Sequence, residues 1–283
     1  MFTQYMFNPL VINPAYAGSQ ETFTATGVFR KQWLGIDDAP ATQTLSAHSP
    51  VDGLRKGTSP GTKVSLGLTL INDRIAISNQ TGLFASYAYR LKMRTGANLS
   101  LGLQAGVSQF RIQYSRLALD DPAFATGDVV EWTPNFGAGI LYHTHRFYAG
   151  LSAPHMLRNI RRLSNVGFVP QYFLSAGYVL SLSDALQLKP NVLIRSIRGN
   201  PLQADLNLNA FLERIIEVGI SWRSYESLGA LGRIQITQKF SIGYSYDMPM
   251  GSEISELSNG SHEIMINYTR PLKKFKTINP RYF

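Results

Sequence analysis

The side chains able to do chemistry are few and badly placed for it. Five histidines, His48, His143, His145, His155 and His262, and no cysteine occur in 283 residues. His143 and His145 flank Thr144 and could share one face, the single spacing in the chain that resembles a metal pair. No carboxylate or third ligand stands near them and they fall at a predicted turn, so they read as solvent-exposed turn residues. Asp120, Asp121, Asp128 and Glu131 supply the oxygens a calcium ion wants, but without regular spacing, and read as a solvated loop. Ser152 and Ser175 lie in predicted strands with no nucleophile-elbow pattern and no convincing histidine partner. The lack of cysteine removes disulfides, thiol catalysis and thiolate metal sites together. The sequence therefore predicts no enzyme, no cofactor and no metal.

The elements that carry these residues point elsewhere. Fourteen segments alternate apolar with small or polar side chains, and no stretch keeps a helical period. Val64, Leu66, Leu68 and Leu70 alternate with Lys63, Ser65, Gly67 and Thr69; Leu99, Leu101, Leu103, Ala105 and Val107 alternate with Ser100, Gly102, Gln104, Gly106 and Ser108. Successive side chains of a strand point to opposite faces, so each run has one greasy and one wet face. Strands are expected near 21–33, 40–49, 62–71, 77–92, 96–112, 133–143, 145–153, 170–182, 185–197, 201–212, 214–223, 227–236, 238–247 and 262–270.

A soluble sandwich shows the same alternation, and loop lengths separate the two. The connections after the fifth, seventh and thirteenth strands are long: Gln113 to Trp132, Pro154 to Val169 and Met248 to Ser261. Those after the fourth, sixth, eighth, tenth and twelfth are tight, at Met93 to Thr95, Thr144, Ser183 and Asp184, Glu213 and the Thr237/Gln238 junction. Long loops at one end and short turns at the other are the habit of outer-membrane barrels, whose termini are periplasmic. Hydrophobic residues make up 44% and mean hydropathy is −0.07, too polar for helical spans. Tyr87, Tyr89, Tyr142, Phe147, Tyr178, Trp222, Tyr244, Tyr246 and Tyr268 share the apolar parity near strand ends, where an aromatic girdle would lie.

A formal charge of +9 raises nucleic acid as a partner, but the basic residues are dispersed and cluster only at Lys273, Lys274, Lys276 and Arg281, so none is expected. An exported barrel needs a leader; none precedes Gln4, and the sequence reads as a mature or trimmed form.

Residues 4–19 do not alternate. Asn8-Pro9 and Asn13-Pro14 bias the chain towards extended backbone and remove donors, so the segment reads as an extended strap. Tyr5, Phe7, Pro9, Pro14 and Tyr16 make it too apolar to lie free, and the lumen, the periplasmic rim or a partner must cover it. This segment resembles the start of the PorP/SprF family, as do Phe29 to Trp33, Gln43 to Pro50, His262 to Ile266 and the terminal Pro280-Arg281-Tyr282-Phe283. The resemblance implies an outer-membrane protein of the type IX secretion and gliding machinery of Bacteroidota. It further implies partners: the C-terminal domain of a secreted surface adhesin, and periplasmic secretion or motility components.

The resulting expectation is an all-β, transmembrane, antiparallel outer-membrane β-barrel of fourteen strands in three parts. These are an extended N-terminal strap over 1–19, a barrel over 20–270 and a short periplasmic tail over 271–283. Pro271 closes the last strand, and Lys273, Lys274, Arg281, Tyr282 and Phe283 offer a docking surface. Tyr5, Phe7, Asn8, Pro9, Asn13, Pro14 and Tyr16 are expected to plug the barrel or bind a partner. Gly67, Gly82, Gly102, Gly106, Gly137, Gly139, Gly150, Gly177, Gly219 and Gly243 take the inward parity, as though another backbone came close, although barrel curvature explains glycines equally well. Inward charges are mostly basic, Lys63, Arg90, Arg146, Lys189, Arg195, Arg223 and Arg233 against Asp205, Glu217 and Asp247. A lumen of that sign keeps open an alternative, a solute channel of the same fold. Pro190 is expected to interrupt one ladder bond and mark a bulge or a register shift.

Overall fold

The computed structural model describes residues 2–20, 22–51, 62–116, 127–157, 159–160, 167–213, 215–250 and 254–272. Its body is a run of antiparallel strands: β1 Thr22–Lys31, β2 Ala41–Pro50, β3 Thr62–Ile75, β4 Ser78–Lys92, β5 Asn98–Ile112, β6 Val129–His143 and β7 Phe147–His155. It continues with β8 Gln171–Tyr178, β9 Leu186–Ile197, β10 Gln203–Leu212, β11 Ile216–Arg223, β12 Ser227–Gln235, β13 Phe240–Pro249 and β14 Ser261–Pro271. Each pairs with its sequence neighbours, and β14 returns to β1 from His262 opposite Lys31 to Pro271 opposite Thr22. The sheet is a closed fourteen-stranded barrel, which leaves no strand edge unpaired in lipid.

The alternation is realised as an inside-out protein. Leu66, Leu68, Leu70, Leu101, Leu103, Leu206, Leu208, Ile264 and Ile266 are exposed on the outer wall, while Ser65, Thr69, Gln104, Asn207, Asn209 and Ser245 are buried in the lumen. Among the described residues the outward charges Lys31, Arg74, Arg111 and Arg270 stand at or near strand ends. A cation at the bilayer midplane costs about 2–4 kcal/mol, which keeps the middle of the wall apolar. Trp132, Tyr172, Tyr178, Trp222, Phe240, Tyr244 and Tyr246 are exposed on the same wall.

Several local expectations change. Residues 4–19 are not extended: they coil through three 3-10 turns, Tyr5–Phe7, Pro9–Val11 and Pro14–Tyr16. Only Asn13, before Pro14, keeps the extended backbone that a following proline imposes; each proline then starts a turn, because its fixed φ suits the first helical position. β6 begins at Val129, so Glu131 and Trp132 belong to the wall and not to a loop. His143 is not a solvent-exposed turn residue. It is 3% exposed inside β6, and its Nε2 lies 3.2 Å from Asn98 Nδ2, whereas His145 is exposed at the turn. Arg146 likewise stands exposed at that turn and not in the lumen. Pro190 opens a gap in the β8–β9 ladder, which lapses after Gly177 opposite Asn191 and resumes at Leu180 opposite Leu188, but the register does not move. The irregularity lies in the β7–β8 pair instead, between Gln171 and Phe173.

A closed ladder this long should resist detergent at room temperature. Unheated samples are expected to migrate faster on dodecyl sulfate gels than boiled ones, with β-sheet circular dichroism preserved until the shift occurs. A single heat-independent band would contradict the closed wall.

Candidate functional site: a plugged lumen

Residues 3–19 lie inside the barrel and, Phe7, Pro9 and Val11 apart, all are buried. The chain crosses the lumen obliquely. At one end Phe2 O accepts from Arg223 Nη2 at 3.3 Å, and Arg223 closes β11 at the mouth where the long connections leave. At the other, Gly18 N donates to His48 Nδ1 at 3.0 Å and Gly18 O accepts from Arg90, both near the short-turn mouth. Gly18 has φ +66, a left-handed turn that carries the chain into β1, and a Cβ there would overlap Ser65.

The head of the plug is held by buried charge. Glu263 of β14 accepts from Thr3 N at 2.9 Å and from Gln4 N at 2.8 Å. Arg30 of β1 stands between Asp247 Oδ2, at 2.5 Å, and Glu263 Oε2, at 3.2 Å, and also donates to Thr3 Oγ1 at 2.9 Å; Thr3 Oγ1 in turn donates to Asp247. A second group, Arg223 with both oxygens of Asp205 at 3.1 Å, closes the same side. The sequence reading placed Asp205, Arg223 and Asp247 in the lumen but missed Arg30 and Glu263. Their signal was available, since Glu263 alternates with Ile264 and Ile266.

The remaining polar atoms of the plug use the wall. Tyr5 Oη accepts from Asn207 Nδ2 at 2.6 Å, and Asn8 Oδ1 accepts from Ser46 Oγ at 2.6 Å. Asn13 Nδ2 donates to Ile140 O at 3.1 Å while its Oδ1 caps Ala15 N at 2.9 Å, and Ile12 O accepts from Ser152 Oγ at 2.9 Å. Unmade, such buried bonds would each cost about 1–3 kcal/mol. Tyr5, Met6, Phe7 and Ile12 pack on Phe173, Leu193 and Leu231; Ala15 and Tyr16 pack on Leu141 and Tyr148, with Tyr16 and Tyr148 edge to face at 6.3 Å. Gly102 leaves the room that Pro14 and Ala15 occupy, and Gly139 the room for the Asn13 side chain. Close approach of the plug, by its backbone at Gly102 and by the Asn13 side chain at Gly139, and not curvature alone, accounts for these two glycines.

Thus Tyr5, Phe7, Asn8, Pro9, Asn13, Pro14 and Tyr16 are brought together in one plug. Lys273, Lys274, Arg281, Tyr282 and Phe283 lie outside the described residues, as do Asp120 and Asp121. Among the described residues no group of histidines and carboxylates could hold a metal.

The plug divides the lumen in two. On the loop side a cavity of about 490 Å³ is floored by Phe2, Tyr5, Val11 and Ile12 and walled by Phe84, Phe110, Phe173 and Arg195. On the short-turn side one of about 340 Å³ lies between Phe7, Pro9 and Tyr16 and the wall residues Lys189, Phe211, Glu217 and Arg233.

Solved structures share this architecture at low identity. The TodX deltaS2S3 mutant monoaromatic hydrocarbon channel matches at 10% identity over 94% of each chain, with a TM-score of 0.54. The toluene transporter TbuX of Ralstonia pickettii matches at 9% over 92% of each chain (TM-score 0.56). The CymD monoaromatic hydrocarbon channel matches at 11% over 96% of this chain and 93% of the other (TM-score 0.57). These likenesses show the fold alone. Comparison with curated proteins returns no match. A family model described as "Type IX secretion system membrane protein PorP/SprF" matches residues 1–268.

Proposed function

Because the chain belongs to the PorP/SprF family of type IX secretion system membrane proteins, we propose that this outer-membrane barrel works by binding other proteins, holding or helping deliver a secreted surface adhesin through its C-terminal domain. The plug carries the reading. A lumen crossed by packed, hydrogen-bonded chain is a rigid scaffold and a poor conduit, and a rigid scaffold with long loops at one mouth is built for recognition. The connections after β5, β7 and β13 all leave from that mouth. With the short-turn mouth facing the periplasm, as in other barrels of this class, the loops face the exterior. The tail from Lys273 to Phe283 then follows β14 on the periplasmic side, where secretion or motility components could meet it. In the same reading 1–19 is the plug, 20–270 the barrel and 271–283 the docking tail, and the protein is not an enzyme.

Shortening the connections 113–128, 156–170 and 250–260 is expected to abolish retention of the surface protein while the barrel still assembles and shows its gel shift. Client pulled down at wild-type level by the shortened barrel would move the contact to the periplasmic face. Removing 273–283 should instead weaken co-purification of periplasmic components.

A second reading has one observation in its favour: the TodX, TbuX and CymD structures are described as channels or transporters for toluene or other monoaromatic hydrocarbons. Under it the two cavities would be halves of a solute path and the plug would have to move.

A further inference from the structure

The short-turn cavity has a chemistry that the adhesin-holding reading does not use. Its apolar wall is Met6, Phe7 and Phe211, and its charge is basic: Lys189, Arg233 and, at the exposed rim, Lys239. Among the described residues the one carboxylate lining it, Glu217, is already engaged, by Asn209 Nδ2 at 2.7 Å and Arg233 Nη2 at 2.8 Å. Arg233 lies with its guanidinium carbon 4.7 Å from the centre of the Phe7 ring, so that cation and aromatic wall are presented side by side. The mouth outside has the same sign. Lys92, Arg94, Arg146, Lys239 and Arg270 are exposed there, against Asp184 and Glu213 among the described residues.

An anion with an apolar neighbour fits this charge, and the rest of the lining says which kind. Gln20, Thr24, Thr26, Gln235, Asn267 and Thr269 add amides and hydroxyls along the wall. Those groups match the N–H and C=O of a peptide and would gain nothing from an alkyl chain. At about 340 Å³ the cavity falls within the range of small-ligand sites, about 300–1,000 Å³. It therefore suits the last few residues of a chain and not a folded domain. The barrel's own tail is the wrong occupant by charge, carrying Lys273, Lys274, Lys276 and Arg281 into a basic site.

We infer that the short-turn cavity is a receptor for the free C-terminus of a partner polypeptide, its carboxylate met by Arg233 and Lys189 and its last apolar side chain set between Phe7 and Phe211. The site lies on the opposite side of the plug from the long-loop mouth, so this inference stands or falls independently of adhesin retention by the loops.

The test uses the full chain purified in detergent and a fluorescein-labelled hexapeptide ending Ser-Leu-Phe with a free carboxylate, followed by anisotropy. Saturable binding is expected, weakened at least tenfold when the same peptide ends in an amide. Lys239→Glu, at an exposed rim position, should weaken it several-fold and flatten its salt dependence. Arg233→Gln combined with Glu217→Gln removes the cation without leaving a lone buried carboxylate, and should weaken it more. No saturable binding, equal binding of acid and amide, or indifference to both variants would overturn the proposal. Decanoate displacing the probe at lower concentration than the unlabelled peptide would overturn it in favour of a lipid-like anion. A tenfold gain in affinity on deleting 273–283 would overturn it in favour of the barrel's own tail.

Discussion

Deleting residues 2–19 is expected to convert a closed barrel into an ion-conducting pore. Barrels of eight strands are filled by their own side chains, whereas those of sixteen or more leave an aqueous channel; a barrel of fourteen lies near the wide end of that range, with room for a plug or, without one, for water. Here the plug takes that room, with Leu10, Ala15 and Gln4 at 1% exposure or less. Without it the inward wall would be lined by Arg30, Lys189, Arg223 and Arg233 against Asp205, Glu217, Asp247 and Glu263, together with hydroxyls and amides, a surface that wets readily. Planar bilayers should therefore show no stable steps for the intact protein and regular steps for the deletion. The barrel should also melt earlier, since burying each large apolar side chain of the plug contributes about 1.5–3 kcal/mol. A milder change guards against misfolding: Gly102→Leu meets the backbone of Pro14 and Ala15 and should loosen the plug without removing it, giving flickering openings. Equal, stable conductance steps in the intact, deleted and Gly102→Leu proteins would show that the plug does not close the lumen, and would favour the solute-channel reading; silence in all three would show that the plug is not what closes it.

Most of the wall was legible because it obeys one local rule. A period of two forces an entire strand into register with lipid, and one slipped residue would turn every leucine inward, so the alternation of Leu66, Leu68 and Leu70 fixes β3 from sequence alone. Turn lengths were legible for the same reason: where alternation stops at Glu213 and resumes at Ile216, little room remains for anything but a turn. The plug was legible as apolar and in need of cover, but its shape was not. Asn-Pro constrains the residue before proline, and the chain satisfies that at Asn13, while Pro9 and Pro14 serve as the first residues of 3-10 turns, a position that suits proline equally well and that the Asn-Pro pattern does not distinguish from an extended strap. His143 was misplaced because a turn two residues away does not determine exposure; strand parity does, and His143 shares the inward parity of Gly139 and Leu141. Strand parity alone turns Glu263 inward, but its pairing is not legible, because Arg30 and Glu263 stand near opposite ends of the chain and only closure of β14 on β1 sets them directly opposite each other.

That pairing carries the largest single-residue effect expected in the molecule. Arg30, Asp247 and Glu263 have side chains 3%, 3% and 0% exposed, so neither carboxylate can fall back on water. Removing one partner of a buried ion pair typically costs about 3–5 kcal/mol, because the remaining charge is stranded. Arg30→Met strands two, and also removes a donor to Thr3 Oγ1, the point at which the head of the plug is fixed. A large fall in the temperature of the gel shift is therefore expected, with earlier proteolysis near Thr3. The cause can be separated from simple loss of packing. Combining Arg30→Met with Asp247→Asn and Glu263→Gln removes the stranded charge, while the amide oxygen introduced by the last of these can still accept one backbone N–H of the plug; most of the lost stability should return. Single Asp247→Asn, which leaves Arg30 its bond to Glu263, should fall between the two. If Arg30→Met melts like the unaltered protein, or if the triple replacement is no more stable than the single one, the buried charges do not fix the plug, and its packing on Phe173, Leu193 and Leu231 must hold it alone.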